Sequence, residues 1–218
     1  MPGSDPATSV DREAPTRERL IATAIRLFGE RGIEATSMRA LTEAARANIA
    51  SVNYHFRSKD GLLRAVIDQA LRAVNDERHR RLDELEAAPE PPSVADLVRA
   101  FVEPGLTSSS LHGEDGAEII RFIGRVLSDP SSRTWQTVAD QLRPVDARYL
   151  AALGRALPDG DADGISFAYV SMVGLLGVWQ SGALAQLNRG RHVTPGTTNA
   201  DAGRLIAFIT AGTLAAGR

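Results

Sequence analysis

The sequence predicts an all-α protein with a small N-terminal group of three helices and a larger C-terminal helical bundle. Apolar residues recur at three- and four-residue spacing along most of the chain, which is typical of amphipathic helices. No stretch alternates with the period of two that indicates a strand, and no internal repeat is present. The length of 218 residues allows one large or two small domains.

The first helix is expected to follow a polar tail. Residues 1–15 have no apolar core, so they are not a signal peptide and are expected to be disordered. Thr16 is the expected N-cap, with Glu18 in the first turn. Gly32 is expected to end the helix in a left-handed conformation. The apolar stripe between these ends consists of Leu20, Ile21, Ala24, Ile25, Leu27 and Phe28.

Two short helices joined by a tight turn come next. Thr36 or Ser37 is expected to cap the second helix, and Asn48 the third. In the third helix Val52 and Phe56 lie four residues apart and are expected to face inward, whereas Ile49 suits either packing or an outward position. The second helix is expected to bury Met38, Leu41, Ala44 and Ala45.

The rest of the chain reads as a series of longer helices. Ser58 is expected to cap the fourth, whose apolar face is followed by a charged run over residues 76–81 that we expect to be solvated surface. Prolines exclude a helix over residues 87–92, and Pro104-Gly105 is expected to break the next helix. The later helices are predicted over residues 93–103, 114–127, 131–157, 165–187 and 200–216.

Residues 165–187 carry no charge and are long enough to span a bilayer. Glutamines, serines and glycines dilute the segment, and no Lys/Arg cluster flanks its start. Gly174, Gly177 and Gly182 permit close approach of another helix. We therefore expect no membrane insertion, and predict that this segment and the final helix form a four-helix homodimer interface.

Composition excludes several classes of function. The absence of cysteine excludes disulfides and thiolate metal sites, and suits a reducing compartment, so we expect a cytoplasmic protein. The formal net charge is −2, so binding of nucleic acid requires a local basic patch. The histidines lack metal-ligand spacing, and no HExxH, GxSxG or P-loop motif is present. We expect neither an enzyme nor a bound cofactor.

The segments TAIRLFGERGIEATSMRALTEAA, NIASVNYHF and SKDGLL, between Arg17 and Ile67, resemble the TetR family of bacterial transcriptional repressors. The resemblance implies a homodimer whose helix-turn-helix DNA-binding domain, residues 16–58, binds a palindromic operator in double-stranded DNA. It also implies a C-terminal domain, residues 59–218, that dimerises and binds a ligand.

The resemblance further implies which residues contact DNA. Two positions depart from the family pattern: Arg46 replaces the usual glycine of the turn, and Ala47 the usual valine. A left-handed arginine costs on the order of 1 kcal/mol, although Arg46 also offers a phosphate contact. The DNA-binding candidates are Thr36, Ser37, Arg39, Arg46, Ala50, Ser51, Asn53, Tyr54, His55 and Lys59.

Several of these side chains have the chemistry that DNA recognition needs. Asn53 can bond bidentately to adenine, and Tyr54, His55 and Lys59 suit phosphate oxygens. Each also has a plainer interpretation. Asn53 could be an ordinary surface residue, Tyr54 a half-buried packing residue, and His55 a tie between the third and fourth helices.

The C-terminal bundle is expected to hold a small apolar or amphipathic inducer. Such a ligand would favour a non-binding spacing of the recognition helices and release a repressor from its operator. The candidate ligand residues are Phe101, Phe122, Trp135, Tyr149, Met172 and Trp179, which core packing explains equally well, and Arg125, whose plainer interpretation is solvated surface. The alternative is a helical scaffold or binding protein that kept the fold without DNA recognition.

Overall fold

The computed structural model describes residues 15–107, 116–127, 132–180 and 199–217. Within these ranges the chain forms nine α-helices and no strand, so the predicted all-α class is confirmed. Apart from Pro15, the predicted N-terminal tail lies outside the described residues. In chain order the helices are α1 (Thr16–Arg31), α2 (Met38–Ala44), α3 (Ile49–Phe56), α4 (Lys59–Ala87), α5 (Val94–Leu106), α6 (Gly116–Leu127), α7 (Ser132–Ala156), α8 (Ala162–Gln180) and α9 (Asn199–Ala216).

The first three helices and the start of α4 enclose the core of a small head. All six apolar residues of the stripe in α1 are buried against the inward faces of α2 and α3. Gly32 follows α1 with a φ of 93°, which confirms the need for glycine there. The N-cap position belongs to Pro15 rather than Thr16, so that prediction was wrong: Thr16 already lies inside the helix. Ala44 is exposed, not buried as predicted, and Thr42 takes an inward position instead.

The apolar core of the head continues into the bundle. Phe122 of α6 and Val138 of α7 belong to the same buried cluster as the stripe of α1. Gly29 permits the close approach of α1 to α6, since a Cβ at that position would lie 3.3 Å from the backbone nitrogen of Phe122. The head therefore packs directly on α6. The domain boundary after residue 58 stays a prediction.

A second buried cluster lies between the C-terminal half of α4 and helices α5, α7, α8 and α9. The predicted break at Pro104-Gly105 was wrong, because both residues are buried inside α5, which ends at Leu106. Only the last turn follows Pro104, and the Thr107 N–H closes it on the Glu103 carbonyl at 2.9 Å. Helix α8 begins at Ala162, three residues before the predicted start at residue 165, because Asp161 caps it: Asp161 Oδ1 accepts the Gly164 N–H at 2.6 Å.

Helices α8 and α9 leave a large apolar face exposed in the single chain. By length and composition alone, Ala162–Gln180 could cross a membrane, and 33% of that stretch is buried. Helices at soluble dimer interfaces meet the same criteria, since they too are apolar over much of their circumference. The exposed apolar side chains on the two helices are Phe167, Val170, Leu175, Val178, Phe208 and Leu214.

Candidate nucleic-acid interface

Three side-chain caps fix where the short helices of the head begin. Each accepts a hydrogen bond from the backbone N–H three residues later, at 3.1 Å for Ser37, 2.8 Å for Asn48 and 3.1 Å for Ser58. All three predicted caps are confirmed. Of the two candidates for the N-cap of α2, Thr36 and Ser37, the cap is Ser37. The caps place the starts of α2, α3 and α4, and thereby the faces that those helices expose.

The turn between α2 and α3 keeps its tight shape without glycine. Arg46 adopts a left-handed φ of 48° at the position that the family usually fills with glycine. The Ala47 N–H donates to the Thr42 carbonyl at 2.9 Å, which closes the turn. Arg19 of α1 donates from Nε to the Ala45 carbonyl at 3.4 Å, so the turn is also fixed to the first helix. The Arg46 side chain is exposed beside α3.

Helix α3 buries one face and exposes the predicted recognition residues on the other. Val52 and Phe56 are buried, whereas Ala50, Asn53 and His55 are exposed. The packing interpretation of Tyr54 was wrong, because 84% of its side chain is exposed. Its ring contacts that of His55 edge-to-face, with 5.0 Å between the centroids. In the part of the chain that the structure describes, no hydrogen bond ties His55 to α4.

Two features of α3 lie close to the predicted contacts. The Ser51 hydroxyl donates to Asn48 Oδ1 at 3.0 Å, so its oxygen remains available as an acceptor. Ile49 is 55% exposed in the first turn, which settles its ambiguous spacing in favour of the outward position. An exposed isoleucine beside Ala50 offers apolar contact to a thymine methyl group, a role the sequence did not assign to it.

Two of the three DNA-binding candidates at the start of α2 are exposed. Ser37 is exposed, and Arg39 is exposed in an ion pair with Glu43, at 2.9 Å between Nε and Oε1. Such a surface pair contributes about 0.5 kcal/mol, so Arg39 is free to exchange it for a phosphate. The third candidate, Thr36, does not belong to this exposed surface. It is buried, and its hydroxyl donates to the Gly32 carbonyl at 2.8 Å, which closes the link between α1 and α2.

The connection from α3 to α4 is sterically tight. Arg57 takes a positive φ of 67° between the helices, and Lys59, half-buried, opens α4. A Cβ on Gly61 would lie 1.9 Å from the Phe56 carbonyl oxygen, so only glycine fits there. The strain at Arg57 was not anticipated. The guanidinium of Arg17 lies 5.7 Å from the centre of the Phe56 ring and adds a further cation near this end of α3.

We call the non-buried DNA-binding candidates the recognition surface. They occupy consecutive parts of the chain: the start of α2, the turn, α3 and the first residue of α4. The recognition surface consists of Ser37, Arg39, Arg46, Ala50, Ser51, Asn53, Tyr54, His55 and Lys59.

Only some of the predicted ligand residues of the bundle are brought together: Phe101, Tyr149 and Met172 share the second buried cluster, with Trp179 packed against it. Phe101, Phe122, Tyr149 and Met172 are buried, Trp179 is half-buried, and Trp135 is 37% exposed. Arg125 is exposed and donates from Nη2 to the Arg31 carbonyl at 3.4 Å, at the end of α1 rather than inside the bundle. Arg125 and Trp135 are thus surface residues.

A cavity lies between α4, α5, α6, α7 and α8, and we call it the bundle cavity. The space in which the centre of a water-sized sphere fits is about 20 Å³. Of the predicted ligand residues, Phe101 lines it, while Phe122 lines a smaller neighbouring space. Its lining is Leu71, Val74, Arg78, Phe101, Gly105, Ile123, Leu127, Leu142, Val173, Leu176 and Gln180.

Arg78 is a functional candidate that the sequence assigned wrongly. It belongs to the charged run that was expected to be solvated, yet its exposure is 5%. The signal was present, because Leu71, Val74, Arg78 and Leu82 follow one another at the spacing of a single buried face. The charges on either side of Arg78 concealed that periodicity.

A packed head that presents a tight helix-turn-helix, with polar and basic side chains along its second helix, defines a DNA-binding regulatory protein. Family models agree along most of the chain. "Tetracyclin repressor-like, C-terminal domain" matches residues 99–212, and "Bacterial regulatory proteins, tetR family" matches residues 20–66. The chain belongs to the TetR family of transcriptional regulators, and its N-terminal domain is the DNA-binding domain of that family.

Individual relatives are similar over shorter stretches or in fold alone. "Probable HTH-type transcriptional regulator YttP" of Bacillus subtilis (strain 168) is 32% identical over 54 residues, which is 25% of this chain and 26% of that protein. The fatty acid degradation regulator FadR from Bacillus halodurans has a TM-score of 0.63 at 11% identity, over 93% of this chain and 96% of its own. Salmonella enterica GusR has a TM-score of 0.55 at 16% identity, over 94% and 98%. At these identities the two structures share the fold alone.

Proposed function

We propose that the protein is a cytoplasmic repressor that binds a palindromic operator as a homodimer and releases it when a small molecule binds in the bundle. The observation that carries this proposal is the outward face of α3. Asn53 and Tyr54 are exposed there, and the buried side chains behind them fix the helix to the head. A helix held in this way fits the major groove with its N-terminal residues at the base edges.

The recognition surface divides into base and phosphate contacts. Ala50 and Asn53, with Ile49 beside them, lie where base edges would be read, and an exposed asparagine suits adenine. Arg39 and Lys59 lie at the starts of α2 and α4, where phosphate contacts fix the register of α3. The scaffold alternative finds no support in such a surface, because a head used only for packing would not need it.

The exposed face of α8 and α9 supports dimerisation through these two helices. Phe167 and Phe208 are 68% and 67% exposed in the single chain, which is unusual for phenylalanine in a soluble protein. Two such helix pairs related by a two-fold axis would bury this face as a four-helix interface. The two heads would then reach half-sites about one helical turn of DNA apart.

The bundle cavity supports control by a ligand. Ile123 and Leu127 of α6 line the cavity, and Phe122 of the same helix contacts α1 of the head. A ligand that widens the cavity would move α6, and α6 cannot move without disturbing α1. The shift in DNA affinity is limited by the difference between the ligand affinities of the two head spacings.

DNA binding is tested by fluorescence anisotropy with labelled DNA from the region flanking the protein's own gene. Lys59→Ala should weaken binding on all sequences and reduce the slope of log Kd against log salt concentration by about 1. Tyr54→Phe should weaken binding with the slope unchanged, because the lost hydroxyl is neutral. Arg143→Ala, which removes an exposed cation of α7, is the matched control and should change neither quantity.

Base recognition is tested separately with Asn53→Ala. It should relax the preference at a single base pair of each half-site, at a cost of about 1–3 kcal/mol on the preferred sequence. Equal weakening on all sequences would reject base recognition by Asn53. Absence of sequence-specific binding by the unmodified protein would reject the repressor itself.

A further inference from the structure

A buried guanidinium lies beside the bundle cavity. Arg78 donates from Nε to the Phe101 carbonyl at 3.0 Å and from Nη1 to Asn75 Oδ1 at 3.1 Å. Its Cζ lies 3.9 Å from the centre of the Phe101 ring, so the cation also contacts the aromatic face. Burial lowers the pKa of Arg78 from its usual range, but an arginine stays charged at neutral pH.

Among the described residues, no carboxylate forms an ion pair with Arg78. The nearby carboxyl group is Asp146, and its Oδ1 accepts the Tyr169 hydroxyl at 2.5 Å instead. Burial raises the pKa of the Asp146 carboxyl, whereas the charge of Arg78 lowers it, so the two groups interact without a direct contact. The Tyr149 hydroxyl donates to the backbone carbonyl of Arg78 at 2.9 Å and leaves the guanidinium untouched. A buried cation that donates only to neutral acceptors is costly, and an anion bound beside it would offset that cost.

The Nη2 group of Arg78 is directed at the cavity. A Cβ on Gly105, which lines the cavity, would lie 3.5 Å from this nitrogen. Gln180 closes the same end, where its Nε2 donates to the Gly105 carbonyl at 2.8 Å. Apart from these two polar side chains, the lining is apolar. A charged end and an apolar remainder form a complementary site for an amphipathic anion.

Size limits what such an anion can be. The space of about 20 Å³ is little more than one water molecule occupies on this measure, so a ligand must widen the cavity. Leu176 of α8 narrows the cavity beside Gly105 of α5, since its Cδ2 would lie only 2.8 Å from a Cβ on Gly105. A single cation and a narrow cavity favour one compact charge over a phosphate ester or a dianion.

We propose that Arg78 is the anchor of a ligand site for a small apolar monocarboxylate, whose hydrocarbon part lies among Leu71, Val74 and Leu176. The carboxylate would pair with the free edge of the guanidinium, in the forked geometry that arginine provides. This inference rests on the proposed ligand response, and names the chemical class to which the response is directed.

The test compares acids with neutral analogues of the same shape on the full-length protein. Hexanoate with hexan-1-ol, and benzoate with benzyl alcohol, are titrated by isothermal calorimetry at pH 7.5. At least one acid should bind saturably, with a Kd at least tenfold lower than that of its alcohol. If neither acid binds, or if acid and alcohol bind alike, the site for a carboxylate is refuted.

Variants separate the charge from the cavity. Arg78→Met keeps the length of the side chain and should bring the acid and the alcohol within threefold of each other, while Arg78→Lys should retain part of the preference. Gly105→Ala places a methyl group in the cavity and should raise the Kd of the acid at least tenfold. This variant tests the cavity even if Arg78→Met fails to fold. Gly154→Ala, where an added Cβ has no neighbour within 4 Å, should bind like the unmodified protein. An acid preference that survives in Arg78→Met would overturn the assignment.

DNA release is measured in parallel, so that the two proposals can fail independently. An acid that binds through Arg78 but leaves DNA affinity unchanged would refute the ligand-responsive repressor and leave the site standing. Release of the DNA by another compound, with no binding of either acid, would refute the site and leave the repressor standing.

Discussion

Replacement of Gly61 by alanine should disrupt the junction between the recognition helix and α4. The added Cβ would lie 1.9 Å from the Phe56 carbonyl oxygen and 3.0 Å from its carbonyl carbon. Both atoms belong to the backbone at the end of α3, so no side chain can rotate away to relieve the contact. The end of α3 would have to move by about 1 Å or more to restore van der Waals separation.

The expected magnitude follows from two opposing effects. Alanine in place of glycine within a helix stabilises by about 0.5–1 kcal/mol when nothing is in the way. Overpacking of a tight site costs about 1–3 kcal/mol, and a backbone contact this short lies at the upper end. The net loss should therefore be about 2 kcal/mol, which lowers the Tm of a protein of this size by about 4–8 °C.

Gly154→Ala provides a matched control within α7. Since an added Cβ there meets no atom within 4 Å, the same substitution should raise the Tm by about 2–4 °C. Thermal unfolding followed by far-UV circular dichroism measures both shifts, and anisotropy measures DNA affinity below the transition. Gly61→Ala should also weaken DNA binding at temperatures where the protein is folded, because α3 is displaced. If both variants were equally stable, the steric reasoning at this junction would be refuted.

Three further substitutions test other parts of the molecule. Arg46→Gly should raise the Tm by about 2–4 °C, since it relieves about 1 kcal/mol of strain at a φ of 48°, and an unchanged Tm would contradict that strain. Hydrogen bonds from the arginines three and four positions further along α4 lower the pKa of Glu77 from 4.5 to about 2. Its stabilising effect is therefore complete above the unfolded-state pKa and is lost as the pH falls through about 2. Glu77→Gln should lower the free energy of unfolding, measured with urea at pH 7, by about 1 kcal/mol after allowance for solvent screening. The difference from the unmodified protein should shrink below pH 4.5. A difference that stays constant with pH would contradict its ionic origin. The double variant Phe167→Asp with Phe208→Asp should be a monomer when its mass is measured by light scattering. The control Ala139→Asp, at an exposed position of α7, should leave the dimer intact. A double variant that remains dimeric would place the interface elsewhere.

Local sequence signals were sufficient to predict most of the head, although Thr16 and Ala44 were placed wrongly. Ser37, Asn48 and Ser58 cap α2, α3 and α4 where the apolar periodicity begins, and each makes its hydrogen bond within three residues. Because cap and stripe are local features, they can be read without knowledge of the neighbouring helices. The same reasoning succeeds at Ser93 of α5, whose hydroxyl and the Asp96 carboxylate form a complete capping box.

Two wrong predictions in the bundle share a different cause, because each depends on a tertiary contact. Arg78 resembles surface charge, but a carbonyl and an aromatic ring of α5 cover it. Pro104 resembles a helix end, but burial against neighbouring helices holds α5 together for one more turn. Spacing reports the buried face of a helix, whereas the partner across that face is encoded elsewhere in the chain.

In the proposed ligand response, α6 would be the physical route from the bundle cavity to the head. One face of α6 contacts α1 and another lines the bundle cavity. Phe122 packs on the backbone near Gly29 of α1, while Ile123 and Leu127 line the cavity. Gly177 of α8 supports the far end of α6, where an added Cβ would lie 2.8 Å from the Leu127 Cβ. Tight contacts on both sides mean that α6 cannot yield to a ligand by local compression, since packed interiors are nearly incompressible. We therefore expect a ligand that widens the cavity to displace α6 as a body, and the contact with α1 to pass that displacement to the head.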